Sequence, residues 1–561
     1  MLIIRIILFL LLLSNIFTNS IYEKHKVNDL FNGLYDKEIY SGYLNTNISG
    51  RDLFYIFTPS QSNPATDPLI LWLQGGPLCS AFYNILDDIG PVIFPPNSNN
   101  SIVNKYAWNK NASILYIESP GGVGFSTLEN KDFIFNDTNQ ARDLNIAIQN
   151  FFDIFTEYQN NTFFIAGASY AGTYIPHLVT EMFKYMEENK TAIQIKLKGM
   201  LIGNPYTYEK TDFEDSIIEF GFSHALISIE TFEKYLNECP HWPQVEKILE
   251  GYEEKEDYKF DPLINKDQLM PVKNVSKACN EVRNEIKKSF EGINSYGILN
   301  ECPPLDNLRS ERNIFNNMIK KKINEKYLKY KYGNDYLNNN ENDTEFAIDF
   351  FPQCGYNKYT PYFINDNKTK EKLGVNLSIE HAICATELNY KWGDAIYFYK
   401  NDIKNLSKEK NFTSWLYSGT EDIQCTTLAA LRTLNELNYT IKDKWKKWVV
   451  DDQVVGMEQT YDYGLKFITV KNSGHMVVQD QPKIAKLLFD KFLEFNKKEK
   501  DNKNNSDNNS FPGWAIVVIS VGGLLIVLTV VFIIHKKCRS KSSDIDFEEK
   551  GKLVNPITDD N

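Results

Sequence analysis

The chain has 561 residues, with 61 Lys and Arg against 73 Asp and Glu and a formal net charge of −12. That length is ample for a large buried core, and the absence of internal repeats or a Pro/Gly/Ser-rich break before residue 496 favours one large domain with an insertion over several domains. The acidic balance argues against a nucleic-acid partner, whose phosphates require a basic surface.

At the N-terminus, MLIIRIILFLLLLSNIFTNS carries one Arg inside an apolar run and ends in small polar residues. The run is short for a bilayer span and has the grammar of a cleaved signal peptide over residues 1–20. Short apolar runs bounded by turns then recur at Leu69–Gln74, Ser113–Glu118, Phe163–Ala168, Lys198–Ile202, Thr413–Tyr417 and Lys466–Lys471. Helical patterns, such as Ala141–Phe155 and Lys483–Phe495, lie between several of them. Buried strands alternating with helices predict an α/β fold with a largely parallel sheet covered on both faces. The richly charged stretch 206–380 reads as a mainly helical cap inserted between core segments 21–205 and 381–497. After a polar linker (498–513), the uncharged segment Trp514–Ile534 is long enough for a hydrocarbon core of roughly 30 Å. Lys536, Lys537, Arg539 and Lys541 follow it, so the tail 535–561 is expected to be cytosolic and the protein a single-pass type I membrane protein. Sequons at Asn47, Asn111, Asn136, Asn274, Asn376 and Asn411 fit a glycosylated lumenal domain.

Chemistry concentrates at three strand ends. Phe163–Ala168 runs into Ser169-Tyr170-Ala171-Gly172, with small residues (Gly167 and Ala171) two positions either side of the serine, as a nucleophile elbow requires. Trp415–Ser418 leads to Asp422, and Phe467–Val470 leads to His475. A serine is a poor nucleophile until a neutral imidazole takes its proton, and a carboxylate must hold that imidazole in the right tautomer. Ser, acid and His in this order, each just past a strand, follow the α/β-hydrolase pattern. Seven of the eight cysteines precede residue 514, at 79, 239, 279, 302, 354, 384 and 425. None forms C-x-x-C or a zinc-finger spacing, so no metal and no cofactor is expected. An oxidising lumen would bridge most of them, and the odd number leaves at least one outside an intramolecular bridge. Cys538, next to the span on its cytosolic side, is a site where palmitoylation is possible.

These blocks resemble the serine carboxypeptidases of the α/β-hydrolase fold from about residue 25 to 497. The family's W-L-N-G-G-P-G-C-S-S reads Trp72-Leu73-Gln74-Gly75-Gly76-Pro77-Leu78-Cys79-Ser80-Ala81 here. E-x-P-x-G-V-G-F-S is intact from Glu118 to Ser126, and G-E-S-Y-A-G-x-Y-I-P runs from Gly167 to Pro176 with one change. I-G-N stands at Ile202–Asn204, and G-H-M-V-P-x-D-Q-P at Gly474–Pro482 with Val478 for the proline. The resemblance implies Ser169, Asp422 and His475 as triad, and the backbone N–H groups of Gly76 and Tyr170 as oxyanion hole. It also implies that Tyr170 lines the pocket for the residue before the scissile bond. Further implications are disulfides Cys79–Cys384, Cys239–Cys279 and Cys302–Cys354, with Cys425 left as a thiol near the site.

In the family a Trp, an Asn and two Glu grip the substrate's terminal carboxylate, one acid keeping a proton because two crowded carboxyls do not both ionise readily. The matching positions here are Trp72, Gln74, Asp88 and Ala168, so one carboxyl is gone, and Leu78 stands where the family has a turn glycine. The expected activity is that of a serine-type carboxypeptidase acting on peptide or protein C-termini, with altered carboxylate recognition. Its catalytic domain is expected in the lumen of the Golgi or vacuole-lysosome, or at the cell surface. The anchor resembles that of Golgi carboxypeptidases that trim basic residues. The alternatives are an acyltransferase or esterase on the same triad, or a lumenal binding or protective protein without turnover.

Overall fold

The computed structural model describes residues 26–95, 100–208, 211, 214–239, 276–300, 359–385 and 387–509. Eleven strands form one sheet: β1 (Lys26–Val27), β2 (Ile39–Asn45), β3 (Asp52–Thr58), β4 (Leu69–Leu73), β5 (Ser113–Ile117), β6 (Phe163–Ala168), β7 (Leu197–Gly203), β8 (Thr413–Gly419), β9 (Ile441–Val450), β10 (Gln453–Tyr461) and β11 (Leu465–Val470). Their spatial order is β1-β2-β3-β5-β4-β6-β7-β8-β11-β10-β9. The central strands β5-β4-β6-β7-β8-β11 pair in parallel. Antiparallel pairs flank them on both sides.

The parallel centre coincides with the six apolar runs read from the sequence. Strands covered on both faces lose the alternation of a half-exposed strand and become nearly continuous hydrophobic runs, and every residue of β4, β5, β6 and β8 is buried. The antiparallel flanks were not anticipated. Hairpins have no intervening helix to mark them, and the edge strand β9 (IKDKWKKWVV) is exposed along most of its length. Lysines along such an edge are a common device against edge-to-edge pairing.

Helices cover both faces. The main ones are α1 (Phe82–Asp87), α2 (Asp137–Ile154), α3 (Ala171–Glu188), α4 (Glu214–Ser223), α5 (Ile229–Glu238), α6 (Lys277–Ser289), α7 (Thr427–Glu436) and α8 (Pro482–Asn509). Helix α2 starts earlier than the sequence pattern suggested because Asn136 caps it. Its side chain accepts from the Asn139 N–H while the Asn139 side chain accepts from the Asn136 N–H, satisfying donors that a helix start leaves open. The C-terminal turns of α2 press Phe151 and Phe155 against Phe57 of β3, each at a centroid distance of 5.1 Å. Tyr158 meets the same ring edge-on at 5.0 Å.

The cap region contributes α4, α5 and α6, with Cys239 and Cys279 bridged between the last two. A second disulfide joins Cys79 to Cys384, and Cys425 is in no disulfide. The expected Cys302–Cys354 bridge, the signal peptide 1–20 and the span 514–534 lie outside the described residues. Among the described residues no helix is long and apolar enough to cross a membrane. The chain divides into two compact units, 1–492 and 493–561, and the described part of the second is the continuation of α8 to Asn509.

Because Phe57 has no exposed surface and packs against Tyr40, Phe151, Phe155 and Tyr158, Phe57→Ala should lower the unfolding free energy by about 3–5 kcal/mol. Denaturant titration of both proteins measures this, and a loss below about 1 kcal/mol would show that the cluster collapses into the space.

Candidate active site

The parallel strands deliver their C-terminal ends to one rim of the sheet, where ligand sites of open α/β sheets form. Ser169 follows β6, Asn204 follows β7, Asp422 follows β8 and His475 follows β11, and these strands are consecutive neighbours. Ser169 occupies the left-handed region at φ +64, one residue before Tyr170 caps α3. A non-glycine residue held there is a strained turn of the kind found at functional sites. The turn is pinned by the Ser169 N–H donating to the Gly203 carbonyl (2.9 Å) and by the Tyr206 N–H donating to the Ser169 carbonyl (2.9 Å). The glycine two positions before it is a necessity, since a Cβ at Gly167 would lie 2.5 Å from the Leu73 carbonyl oxygen.

Asp422 has no exposed surface and His475 is 3% exposed. His475 Nδ1 donates to Asp422 Oδ2 at 2.7 Å. Asn204 Nδ2 donates to the same oxygen at 2.7 Å, and the Gln424 N–H donates to Asp422 Oδ1 at 2.8 Å. With both oxygens held, the carboxylate has one orientation to offer the imidazole. Ser169 is half-buried, and its Oγ makes no hydrogen bond among the described residues. Serine–imidazole pairs in unliganded sites are often loose and tighten when substrate binds.

Gly75 sets the other wall. A Cβ there would lie 2.5 Å from the Tyr170 nitrogen and 2.6 Å from Ser169 Cβ, so only glycine lets this backbone reach the elbow. Gly76 follows at φ +116, a glycine conformation. Leu78 is in the left-handed region at φ +73, where the family's glycine would sit without strain. Its N–H donates to Tyr174 Oη at 3.1 Å, which gives the turn a fixed end.

The Tyr170 ring is 1% exposed, deeper than a pocket-lining role implies. Its hydroxyl accepts from the Gly393 N–H at 2.9 Å, and Tyr206 and Trp392 cover the ring at 5.5 and 5.2 Å. The aromatic surface at this end therefore falls to Tyr206 and the more exposed Trp392, which the sequence reading did not single out.

The residues expected to meet a substrate carboxylate are all buried. Trp72 Nε1 and Gln74 Oε1 have no hydrogen-bond partner among the described residues, a costly condition for buried polar atoms. Asn84 Nδ2 donates to Asp88 Oδ2. Burial pushes the Asp88 carboxyl up to about 7, countered by donors on Asn84 and Gln479 and reinforced by the Asp480 charge. Ala168, where the family has its second acid, is buried at the end of β6. Asp480 accepts from the Gly474 N–H at 2.7 Å and from Asn300 Nδ2 at 3.0 Å. Its pKa is raised, first by burial and further by the Asp422 charge.

Asp422, Cys425 and His475 are the group among the described residues whose donor atoms converge closely enough to share an ion, all within 4.8 Å of one another. Asp422 Oδ2 and His475 Nδ1 are already committed to each other.

A serine at a strained elbow and an acid–histidine pair at neighbouring strand ends define the α/β-hydrolase class of protein. The family model described as serine carboxypeptidase matches residues 31–495, and the chain belongs to that family. By that membership it is a serine-type carboxypeptidase. It is 28% identical over 523 residues to "Serine carboxypeptidase-like 20" of Arabidopsis thaliana, covering 88% of this chain and 98% of that one. To "Serine carboxypeptidase-like 32" of the same plant it is 31% identical over 468 residues, covering 81% and 88%. The crystal structure of Kex1(delta)p, a prohormone-processing carboxypeptidase from Saccharomyces cerevisiae, superposes with a TM-score of 0.60 at 19% identity, covering 83% of this chain and 95% of that one. That similarity speaks for the fold.

Asn204 holds Asp422 from a left-handed backbone position at φ +42. Asn204→Gly suits that backbone and removes only the carboxamide, so kcat/KM for a peptide should fall about tenfold, the cost of one hydrogen bond to a charged group. Steady-state kinetics on both proteins check this, and an unchanged kcat/KM would show that Gln424 and His475 alone suffice to hold Asp422.

Proposed function

We propose that the protein releases C-terminal residues from peptides, with Ser169 as nucleophile, His475 as general base and then acid, and Asp422 orienting the imidazole. Ser169 Oγ attacks the scissile carbonyl carbon while its proton passes to His475 Nε2. The carbonyl oxygen, now negative, is met by the N–H groups of Gly76 and Tyr170, fixed dipoles that need no reorganisation as charge develops. The C–N bond then breaks, and the imidazolium gives its proton to the departing amino acid's amine. Water attacks the acyl-serine in a second cycle of the same proton transfers and frees the shortened peptide.

The observation that carries the exopeptidase reading is the set of buried polar groups without partners among the described residues, Trp72 Nε1 and Gln74 Oε1 near the elbow, together with the near-neutral Asp88 carboxyl. Gln74 directly precedes the glycine that touches the Ser169–Tyr170 backbone, and Asp88 is approached by Gln479 and Asp480 from the short helix after His475. A terminal carboxylate placed between them would receive the indole N–H, the carboxamide N–H and, while Asp88 is protonated, its O–H. Loss of the second acid at Ala168 leaves this grip with one carboxyl. Residues 1–20 and 514–534 support a lumenal, membrane-anchored catalytic domain in the Golgi, the vacuole-lysosome or the cell surface. Exposed Asn47, Asn376 and Asn411 support glycosylation there, whereas the Asn111 carboxamide is engaged by Asp490 and Lys486.

Labelling of the full-length protein by a fluorophosphonate, together with peptide release, tests the nucleophile. Ser169→Ala should abolish both, and turnover within tenfold of wild type would remove Ser169 from the mechanism. The clamp is tested by pH. Below about 7 Asp88 is neutral and donates to a peptide carboxylate; above it the ionised group repels that carboxylate. KM for a blocked dipeptide acid should therefore rise as pH climbs through 7, by about tenfold. KM for the matching amide should stay flat, and Asp88→Asn should remove the pH dependence. Ala168→Glu should restore a stronger preference for the acid. A KM for the acid that does not change with pH would place carboxylate recognition elsewhere.

A further inference from the structure

The cap sends one stretch of chain across the site. Helix α6 is anchored at its start by the Cys239–Cys279 disulfide, and after a turn residues 294–300 run over the loops that carry Asp422 and His475. This strap is bound to both. The Ile423 N–H donates to the Ser295 carbonyl at 3.1 Å, the Ile298 N–H donates to the Glu421 carbonyl at 3.2 Å, and Gln424 Nε2 donates to Ser295 Oγ at 2.6 Å. On the other loop the His475 N–H donates to the Tyr296 carbonyl at 2.6 Å. The approach is so close that a Cβ at Gly474 would lie 2.0 Å from the Tyr296 carbonyl oxygen. The Tyr296 ring then stands against the His475 imidazole, centroids 5.0 Å apart and planes at 88°.

We propose that Tyr296 is a positioning residue for His475, and that the strap is the part of the cap that completes the catalytic site. Two physical effects combine. The backbone hydrogen bond fixes where the His475 main chain sits relative to Ser169. The ring, packed edge-to-face, removes the rotamers in which the imidazole would swing away from Asp422 and fills space from which water would compete for the Nδ1–Oδ2 hydrogen bond. Tyr296 acts through His475, so its contribution belongs to the chemical step and not to substrate affinity. The α/β core alone therefore carries the reacting groups without holding them in working register.

This inference rests on His475 being the base, as proposed above, and the experiment separates the two. In the full-length protein, the fluorophosphonate labelling rate, kcat, KM and thermal midpoint are measured for wild type, Tyr296→Phe, Tyr296→Leu and Tyr296→Ala. Tyr296→Phe keeps the ring edge and should retain kcat within about twofold. Tyr296→Leu and Tyr296→Ala should lose roughly tenfold to a hundredfold in kcat, as small misplacements of catalytic groups do, with KM within about twofold and labelling slowed in the same ratio. Tyr296→Leu keeps an apolar body in the site, so a wild-type midpoint with a slow kcat distinguishes positioning from loss of fold if Tyr296→Ala does not accumulate. A Leu or Ala variant that labels and turns over at the wild-type rate overturns the proposal, as does a loss confined to KM, or a folded Phe variant as slow as Ala. Wild type that fails to label at all overturns the triad itself, a different failure.

Discussion

The site depends first on a contact between two stretches of backbone. Gly75 lies against the Ser169–Tyr170 peptide with no room for a methyl group, and the two arrive from strands β4 and β6, which pair in parallel with Leu73 opposite Gly167. The register of that pair brings the turn after one strand to the turn after the other. Gly75 can then lie against the Tyr170 nitrogen because the sheet has already placed both chains.

The same logic extends along the rim. Asn204, at the end of β7, bonds Asp422 beyond the next strand, and its N–H reaches the Tyr417 carbonyl at 2.7 Å. The turns after β6, β7, β8 and β11 thus form a hydrogen-bonded row, and the cap strap lies across its far end. The turn after β4 is tied down separately. The Ser80 N–H donates to the Ile383 carbonyl at 2.8 Å and the Ala385 N–H to the Leu78 carbonyl at 2.9 Å, on either side of the Cys79–Cys384 disulfide. Beneath them Ser80, Glu118 and His381 form a buried cluster, with His381 Nε2 2.7 Å from Glu118 Oε1. Segments that follow the cap therefore brace loops that precede it.

Much of this was legible in the sequence where physics leaves a local mark. A strand buried on both faces has to be apolar throughout, so the six central strands stood out. The elbow has to have small neighbours, so Gly167-Ala168-Ser169-Tyr170-Ala171 could be read as a turn. What escaped was whatever depends on distant chain. β9 and β10 pair through their backbones, and the lysine-rich β9 resembles a loop. Tyr296 lies in a charged insertion, and nothing in its neighbours announces that it will meet a histidine 179 positions later. Asn204 was visible as part of I-G-N, but its role needs the register of β7 and β8. Trp392 and Tyr206 gain significance from covering Tyr170, a three-dimensional fact without a spacing rule. Leu78 could be flagged as a departure from a glycine, and only the backbone angle of +73 shows that it accepts the glycine's conformation.

The split of the sheet around the cap has a consequence for biosynthesis. β7 pairs with β8 from Gly199–Thr413 to Gly203–Tyr417, so the edge of β7 emerges from the ribosome roughly two hundred residues before its partner. At translation rates of about 5–20 residues per second, that is an interval of roughly 10–40 s. During it the nascent chain holds the serine elbow but neither the acid nor the histidine, and an apolar parallel strand has no neighbour on one side. Long-range parallel pairing is slow to form and exposed to aggregation while it waits. Ser169 is thus made long before Asp422 and His475, and the edge of β7 is open to wrong pairing for as long as its partner strand has not been made.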